Sequence, residues 1–208
     1  AAAAARQGVN AICCVPPFFY PPTEEEAIEH FRQVAATADL PFFAYNLPEC
    51  TGFTITPEFI LKLRDRIPSV VGLKHSSLNL YHLRQFVAAG LTCFMGSGQM
   101  LLPALSLGAV GCIDGPVCMA PELWVEIWHA FQSGHMESAI KAQERASRLM
   151  DIVWKHGNPR VEKAVLSWRL GIDCGNPRPP RLPLSPELKA EVLNSVKQLA
   201  VKPVDQSV

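Results

Sequence analysis

Short apolar runs and longer amphipathic segments alternate along the first half of the chain. Residues 9–15 form an apolar run closed by Pro16 and Pro17, and residues 42–46 form a second, stopped by Pro48. Residues 69–73, 91–95 and 109–113 repeat the form. Runs this short, bounded by proline, glycine and polar turn residues, predict strands. The segments between them have helical period. Thr23 opens one, with Glu26 three residues on to complete a capping box, and Ala27, Phe31 and Val34 on one face before it ends near Ala38. Thr56 caps the next, with Pro57 at the favoured first position and Phe59, Ile60 and Leu63 as its apolar face. Residues 81–89, stopped by Gly90, and residues 101–107 complete the set. Strand and helix alternate, and the strands are apolar on both faces, which predicts a parallel sheet wrapped by helices.

Beyond residue 113 the strands stop. Residues 121–132, 136–155 and 159–170 read as helices ended by Gly134, Gly157 and Gly171, with Ile140, Ala146 and Leu149 as the core stripe of the longest. A proline-rich link at 176–181 leads to Ser185, Pro186 and a last amphipathic helix ending near Leu199. The expected division is 1–120 for the βα part and 121–200 for helices packing on it. Residues 201–208 are left as a frayed tail. Ala1 to Ala5, followed by Arg6-Gln7-Gly8, reads as the tail of a helix and not as a leader.

Composition narrows the function classes. Lys+Arg and Asp+Glu are 19 each, a balance that gives no footing for nucleic acid or an anionic membrane surface. No apolar run approaches the roughly 20 residues that cross a bilayer. The seven cysteines include no C-x-x-C pair and several lie in apolar runs, so they read as small buried hydrophobes of a reducing, cytoplasmic compartment. No metal site is expected, since the histidine pairs Trp128-His129 and Gly134-His135 bring no carboxylate at ligand spacing.

One strand ends unusually. Residues 69–77 read SVVGLKHSS, an apolar run that closes on Lys74. An unpaired ammonium taken from water is costly, and a buried lysine escapes by losing its charge, which leaves an amine that attacks carbonyl carbon. The plain alternatives are a lysine that snorkels to solvent or pairs with a carboxylate. In βα folds functional side chains gather at the C-terminal strand ends. Here those ends offer Pro16-Pro17, Tyr45 and Asn46, Lys74 and Ser76, Gly96 to Gln99, and Ile113 to Gly115. An amine forms an iminium with a ketone or aldehyde, and a neighbouring phenol moves protons. A tyrosine in a strand also serves simply as packing, and Gly96 and Gly98 serve equally as turn glycines.

The motif Tyr45-Asn46-Leu47-Pro48-x-x-Thr51-Gly52, followed by Val71-Gly72-Leu73-Lys74-x-Ser76, resembles the N-acetylneuraminate lyase and dihydrodipicolinate synthase family. Leu107-Gly108-Ala109-Val110-Gly111 and Pro180-Arg181-Leu182-Pro183 support the likeness. The resemblance implies a class I, Schiff-base enzyme of pyruvate chemistry on a (β/α)₈ TIM barrel. This chain would supply strands four to eight and a C-terminal helical extension. Lys74 would form the Schiff base, Tyr45 would relay protons, and Ser76, Gly96, Ser97, Gln99 and Ile113 would line the substrate. No cofactor is implied, and the partners are a small 2-oxo acid and an aldehyde, in what is usually a homotetramer.

Departures shape the expected substrate. Glu49-Cys50 stands where dihydrodipicolinate synthases usually carry an arginine, and Gly98-Gln99 stands where sialic-acid lyases have Asp-Glu. The whole sequence leans towards the lyase, with dihydrodipicolinate synthase and a 4-hydroxy-2-oxoglutarate-type aldolase as alternatives. A reading of another class is an inactive fragment or scaffold, because the family's first three strands and its carboxylate-binding loop have no counterpart in these 208 residues.

Overall fold

The computed structural model describes residues 1–204. The chain divides into two compact units, residues 1–113 and 114–208.

The first unit runs α1 (Ala2–Arg6), β1 (Ile12–Cys14), α2 (Glu24–Ala35), β2 (Phe42–Asn46), a single turn α3 (Pro48–Thr51) and α4 (Pro57–Arg66). It continues with β3 (Val70–His75), α5 (Leu80–Ala88), β4 (Thr92–Met95), α6 (Leu101–Ser106) and β5 (Gly111–Cys112). All five strands are parallel and hydrogen-bond in sequence order, β1-β2-β3-β4-β5. Consecutive parallel order with a helix in each crossover is the helix-wrapped parallel sheet that the alternation predicted, and it matches part of the wall of the barrel that the resemblance implies. Among the described residues the wall is open, with β1 and β5 as its edges.

The helices start where their capping residues sit. Thr23 and Glu26 form the reciprocal capping box of α2, and the Thr56 hydroxyl accepts from the Phe59 amide at the start of α4. Phe31 of α2, Phe59, Ile60 and Leu63 of α4, and Leu83 and Phe86 of α5 are fully buried. They meet Phe42, Ala44, Leu73, Cys93 and Met95, the alternate residues of the strands. Burial of side chains this large, each worth about 1.5–3 kcal/mol, makes this layer the core of the unit. The other face of the sheet, with Cys13, Phe43, Tyr45, Lys74 and Phe94, stays partly open.

An irregularity decides which side Lys74 occupies. Phe42 pairs with Val70 but Phe43 pairs with Gly72, so Val71 is an extra residue in β3. Val70 is in the core. Strict alternation from Val70 would carry Gly72 and Lys74 to the same, helix-covered side. The bulge at Val71 resets the phase, sending Leu73 and His75 into the core and Lys74 to the open face. Gly72 is required there, since a Cβ would stand 2.0 Å from the Thr92 carbonyl oxygen and 2.7 Å from the Phe43 ring.

The second unit is helical: α7 (Pro121–Gln132), α8 (Met136–His156), α9 (Arg160–Leu170) and α10 (Pro186–Gln198). Its long helix corrects one expectation. Ile140 is 47% exposed, and the buried stripe of α8 is Ala139, Ala142, Gln143, Ala146, Leu149, Met150 and Val153. Three alanines face the neighbouring helices because small side chains permit close approach, and that contact outranks the larger isoleucine one position away. The frayed-tail expectation also fails over residues 201–204. Val201 is buried and the Val204 amide donates to the Arg169 carbonyl, while residues 205–208 lie outside the described range. None of the seven cysteines is in a disulfide, but only Cys93 is buried, and Cys13, Cys50 and Cys118 are exposed. Cys13 lies on the open face of the sheet and Cys50 on the exposed turn α3, so apolar neighbours in sequence do not cover them. No helix among the described residues is long and apolar enough to cross a membrane.

Candidate active site

Tyr45 and Lys74 are register partners at the C-terminal ends of β2 and β3. Their side chains leave the sheet on the same, open face, and the Lys74 ammonium lies 4.0 Å from the centre of the Tyr45 ring. Both are half-buried. No carboxylate pairs with Lys74 among the described residues, and its half-exposed side chain lies against the Tyr45 ring.

Ser76 completes a cluster with them. Its hydroxyl lies 3.4 Å from the Tyr45 hydroxyl and 3.3 Å from the Gly96 carbonyl oxygen, so its one proton can serve either acceptor. The Ser76 amide donates to the Asn46 carbonyl and the Gly96 amide donates to the His75 carbonyl, which extends the ladder one step past each strand. Gly96 is obligatory at this approach, since a Cβ would stand 1.9 Å from the Ser76 hydroxyl oxygen. The serine and the glycine are thus a matched pair.

The remaining expected residues separate. Ser97 donates to the Gln99 side-chain oxygen at 3.3 Å, so these two satisfy each other beside the Gly96 turn. Ile113 is held by its amide to the Met95 carbonyl, and its side chain is 45% exposed at the end of β5, beyond β4 from the amine.

A second nucleophile shares the open face. Cys13 of β1 feels the Lys74 charge, but loss of hydration pushes its thiol up to about 11, so it stays protonated at neutral pH. Lys74 therefore has no thiolate competitor there. No group of three or more His, Cys, Asp or Glu side chains among the described residues is placed to hold a metal ion.

Directly behind the Tyr45–Lys74 rung, on the core side, lies a polar rung that sequence reading missed. Asn46 and His75 are the next register partners and both are fully buried. The Asn46 amide nitrogen donates to His75 Nδ1 at 3.1 Å, and His75 Nε2 donates to the Asn79 carbonyl at 3.1 Å. The Asn46 side-chain oxygen accepts from the Ile55 amide at 3.0 Å. Burial holds the imidazole down at about 4, so it is neutral and this tautomer fits all its partners. Asn46 stood beside Tyr45 in the strand-end set, but a single buried histidine carries no pattern that separates it from packing.

Residues 1–199 match the dihydrodipicolinate synthetase family. The 4-hydroxy-tetrahydrodipicolinate synthase of Archaeoglobus fulgidus is 31% identical over 197 residues, covering 93% of this chain and 68% of that protein. The synthase of Prochlorococcus marinus is 32% identical over 196 residues, covering 91% and 65%. This chain thus spans about two thirds of the length of these relatives. Among solved structures, the Escherichia coli prophage protein YagE, determined in complex with pyruvate, superposes with a TM-score of 0.82 at 26% identity, over 95% of this chain and 68% of YagE. The N-acetylneuraminate lyase of Aliivibrio salmonicida shares the fold at a TM-score of 0.86 and 24% identity, over 95% and 67%. Parallel strands in barrel order, an amine and a phenol paired at their C-terminal ends, and a match along nearly the whole sequence lead to one conclusion: the chain belongs to the dihydrodipicolinate synthetase family.

Proposed function

We propose that this chain carries the Schiff-base centre of a class I aldolase or lyase that joins or releases pyruvate and an aldehyde. The observation that carries the reading is the Lys74 amine against the Tyr45 ring, with no carboxylate paired to it among the described residues, at the strand ends of a βα wall. In the cleavage direction the Lys74 ammonium first gives a proton to solvent, the free amine adds to the C2 carbonyl of a 4-hydroxy-2-oxo acid, and water leaves, giving an iminium. Tyr45 takes the proton of the C4 hydroxyl as the C3–C4 bond breaks. The aldehyde departs and the electron pair passes into an enamine on Lys74. Protonation at C3 and addition of water then release pyruvate and restore the amine. The imine is itself the electron sink, so the reaction needs neither metal nor organic cofactor. Ser76 shares its proton with the Tyr45 oxygen, which favours the phenolate form needed mid-reaction.

A lyase of the N-acetylneuraminate kind remains the favoured member of this class. Glu49 and Cys50, both exposed on α3, offer no cation to grip a second carboxylate, which weighs against an aldehyde partner bearing one. The relatives named 4-hydroxy-tetrahydrodipicolinate synthase favour the condensation direction as the second reading.

Incubation with pyruvate and borohydride, followed by peptide mass mapping, tests the proposal. A reduced pyruvyl adduct is expected on Lys74 and is absent in Lys74→Ala. An adduct of equal yield in that variant, or none in the parent protein, rejects it.

A further inference from the structure

We infer that the buried Asn46–His75 pair is a positioning device, which fixes the Lys74 amine over the Tyr45 ring by tying together the loops that follow β2 and β3. The inference goes beyond the proposed chemistry, and only its kinetic test rests on that reading.

The argument starts from what the pair connects. Each member sits one residue beyond a reacting group, Asn46 after Tyr45 and His75 after Lys74. Strand alternation sends the reacting pair to the open face and this pair into the core. Asn46 reaches forward to Ile55 through both ends of its amide: its oxygen accepts from the Ile55 amide, and its nitrogen lies 3.4 Å from the Ile55 carbonyl. That closes the loop after β2. His75 reaches forward to the Asn79 carbonyl, which closes the loop after β3. The Asn79 side chain in turn accepts from the His82 amide and caps α5. The Asn46–His75 hydrogen bond then joins the two closed loops.

No other arrangement of these groups satisfies the site. A neutral imidazole has one donor and one acceptor, and here each meets its complement in a region without water access. The Phe86 ring packs edge-on against the imidazole with centroids 5.5 Å apart, which adds an aromatic contact to its hydrogen bonds. A hydrophobic residue at position 75 would fill the same space and keep the strand. It would leave an Asn46 donor unpaired and the Asn79 carbonyl with only its 3.3 Å bond from the Leu83 amide, and the two loops joined only by the Ser76 amide to Asn46 carbonyl bond. The open-face pair is held less firmly: Lys74 and Tyr45 meet by a cation–ring contact, which constrains angle and distance weakly, and Tyr45 has besides it only the 3.4 Å contact from the Ser76 hydroxyl. The tighter constraint on their geometry therefore comes from behind the sheet.

The test reads geometry and rate separately. Reductive methylation with ¹³C-formaldehyde labels Lys74, assigned by the signal missing in Lys74→Arg. In the parent protein the methyl protons are expected upfield, in the shielding cone of the Tyr45 ring. In His75→Leu the upfield displacement is expected to vanish. The maximum rate of borohydride-trapped imine formation should fall roughly 10–100-fold, as for a reacting group misplaced by about an ångström, while the half-saturating pyruvate concentration changes little. His75→Gln, whose amide can accept from Asn46 and donate to the Asn79 carbonyl, should keep both. A folded His75→Leu that retains the upfield signal and the parent rate overturns the inference. Should His75→Leu fail to fold, a folded His75→Gln that loses the signal overturns it, and one that retains the signal supports it. Should the parent protein trap no pyruvate, the proposed function fails while the methyl shift still decides the positioning.

Discussion

Two neighbouring rungs of the β2–β3 ladder, one residue apart, have opposite fates. The Tyr45–Lys74 rung faces the open side of the sheet, half-exposed and linked by a single soft contact. The Asn46–His75 rung faces the helices, fully buried, with every side-chain polar atom partnered. Chemistry needs groups that are accessible and incompletely satisfied, whereas a core tolerates polar groups only when they are paired. A strand separates these demands by alternation alone, so reactivity and rigidity can occupy consecutive positions of the same chain.

The outer rung breaks most severely when the phenol is removed. Tyr45→Phe keeps the ring beside the amine but deletes the hydroxyl that the proposed mechanism uses as its proton relay. Pyruvate trapping on Lys74 should persist while steady-state aldol turnover falls about 10²–10⁴-fold, measured with the two assays side by side. Trapping and turnover lost in equal proportion would mean that the phenol acts on the imine itself.

Both rungs hang on the approach of β3 to its neighbours, and Gly72→Ala breaks that. Its methyl would press on the Thr92 carbonyl and the Phe43 ring, so β4 must move away. A loss of about 3 kcal/mol is expected, at the upper end for overpacking, read from the urea midpoint at unchanged slope.

Acid breaks the inner rung selectively. His75 takes its proton only near pH 4 in the fold, against about 6.5 in an unfolded chain, because burial and the nearby His82 oppose the charge. Between those values the unfolded state binds more protons. The stabilisation is complete above about 6.5 and is lost as pH falls towards 4, for a total of about 3 kcal/mol. Urea unfolding across that range should show the slope, and His75→Gln should reduce it. The smallest effect sharpens the comparison: Ser76→Ala removes one half-buried hydrogen bond and should cost about 1 kcal/mol or less, with a modest drop in turnover.

The sequence showed the parts of this arrangement that rest on local physics. Thr23 and Thr56 each cap the helix they were expected to cap, because capping depends on a few adjacent residues. The strand-end positions of Tyr45 and Lys74 followed from apolar runs and their punctuation. The bulge at Val71 did not, since Val70, Val71 and Leu73 are all good strand residues and pairing with β2 alone determines which is extra. Nor did the link from Asn46 to His75, which spans 29 residues and exists only once the strands are in register. The stripe of α8 was misread for a related reason. Ala139 and Ala142 gain their importance from a neighbouring helix, not from their own hydrophobicity.

Val71 shows how fine the margin is. Remove that single residue and the tip of β3 turns over like a page: the imidazole would meet water and the ammonium would be pressed into hydrocarbon, with no change in any other letter of the chain. What sets the amine on the open face of this sheet is therefore a matter of parity, an odd count where an even one would fold just as flat and turn it inward.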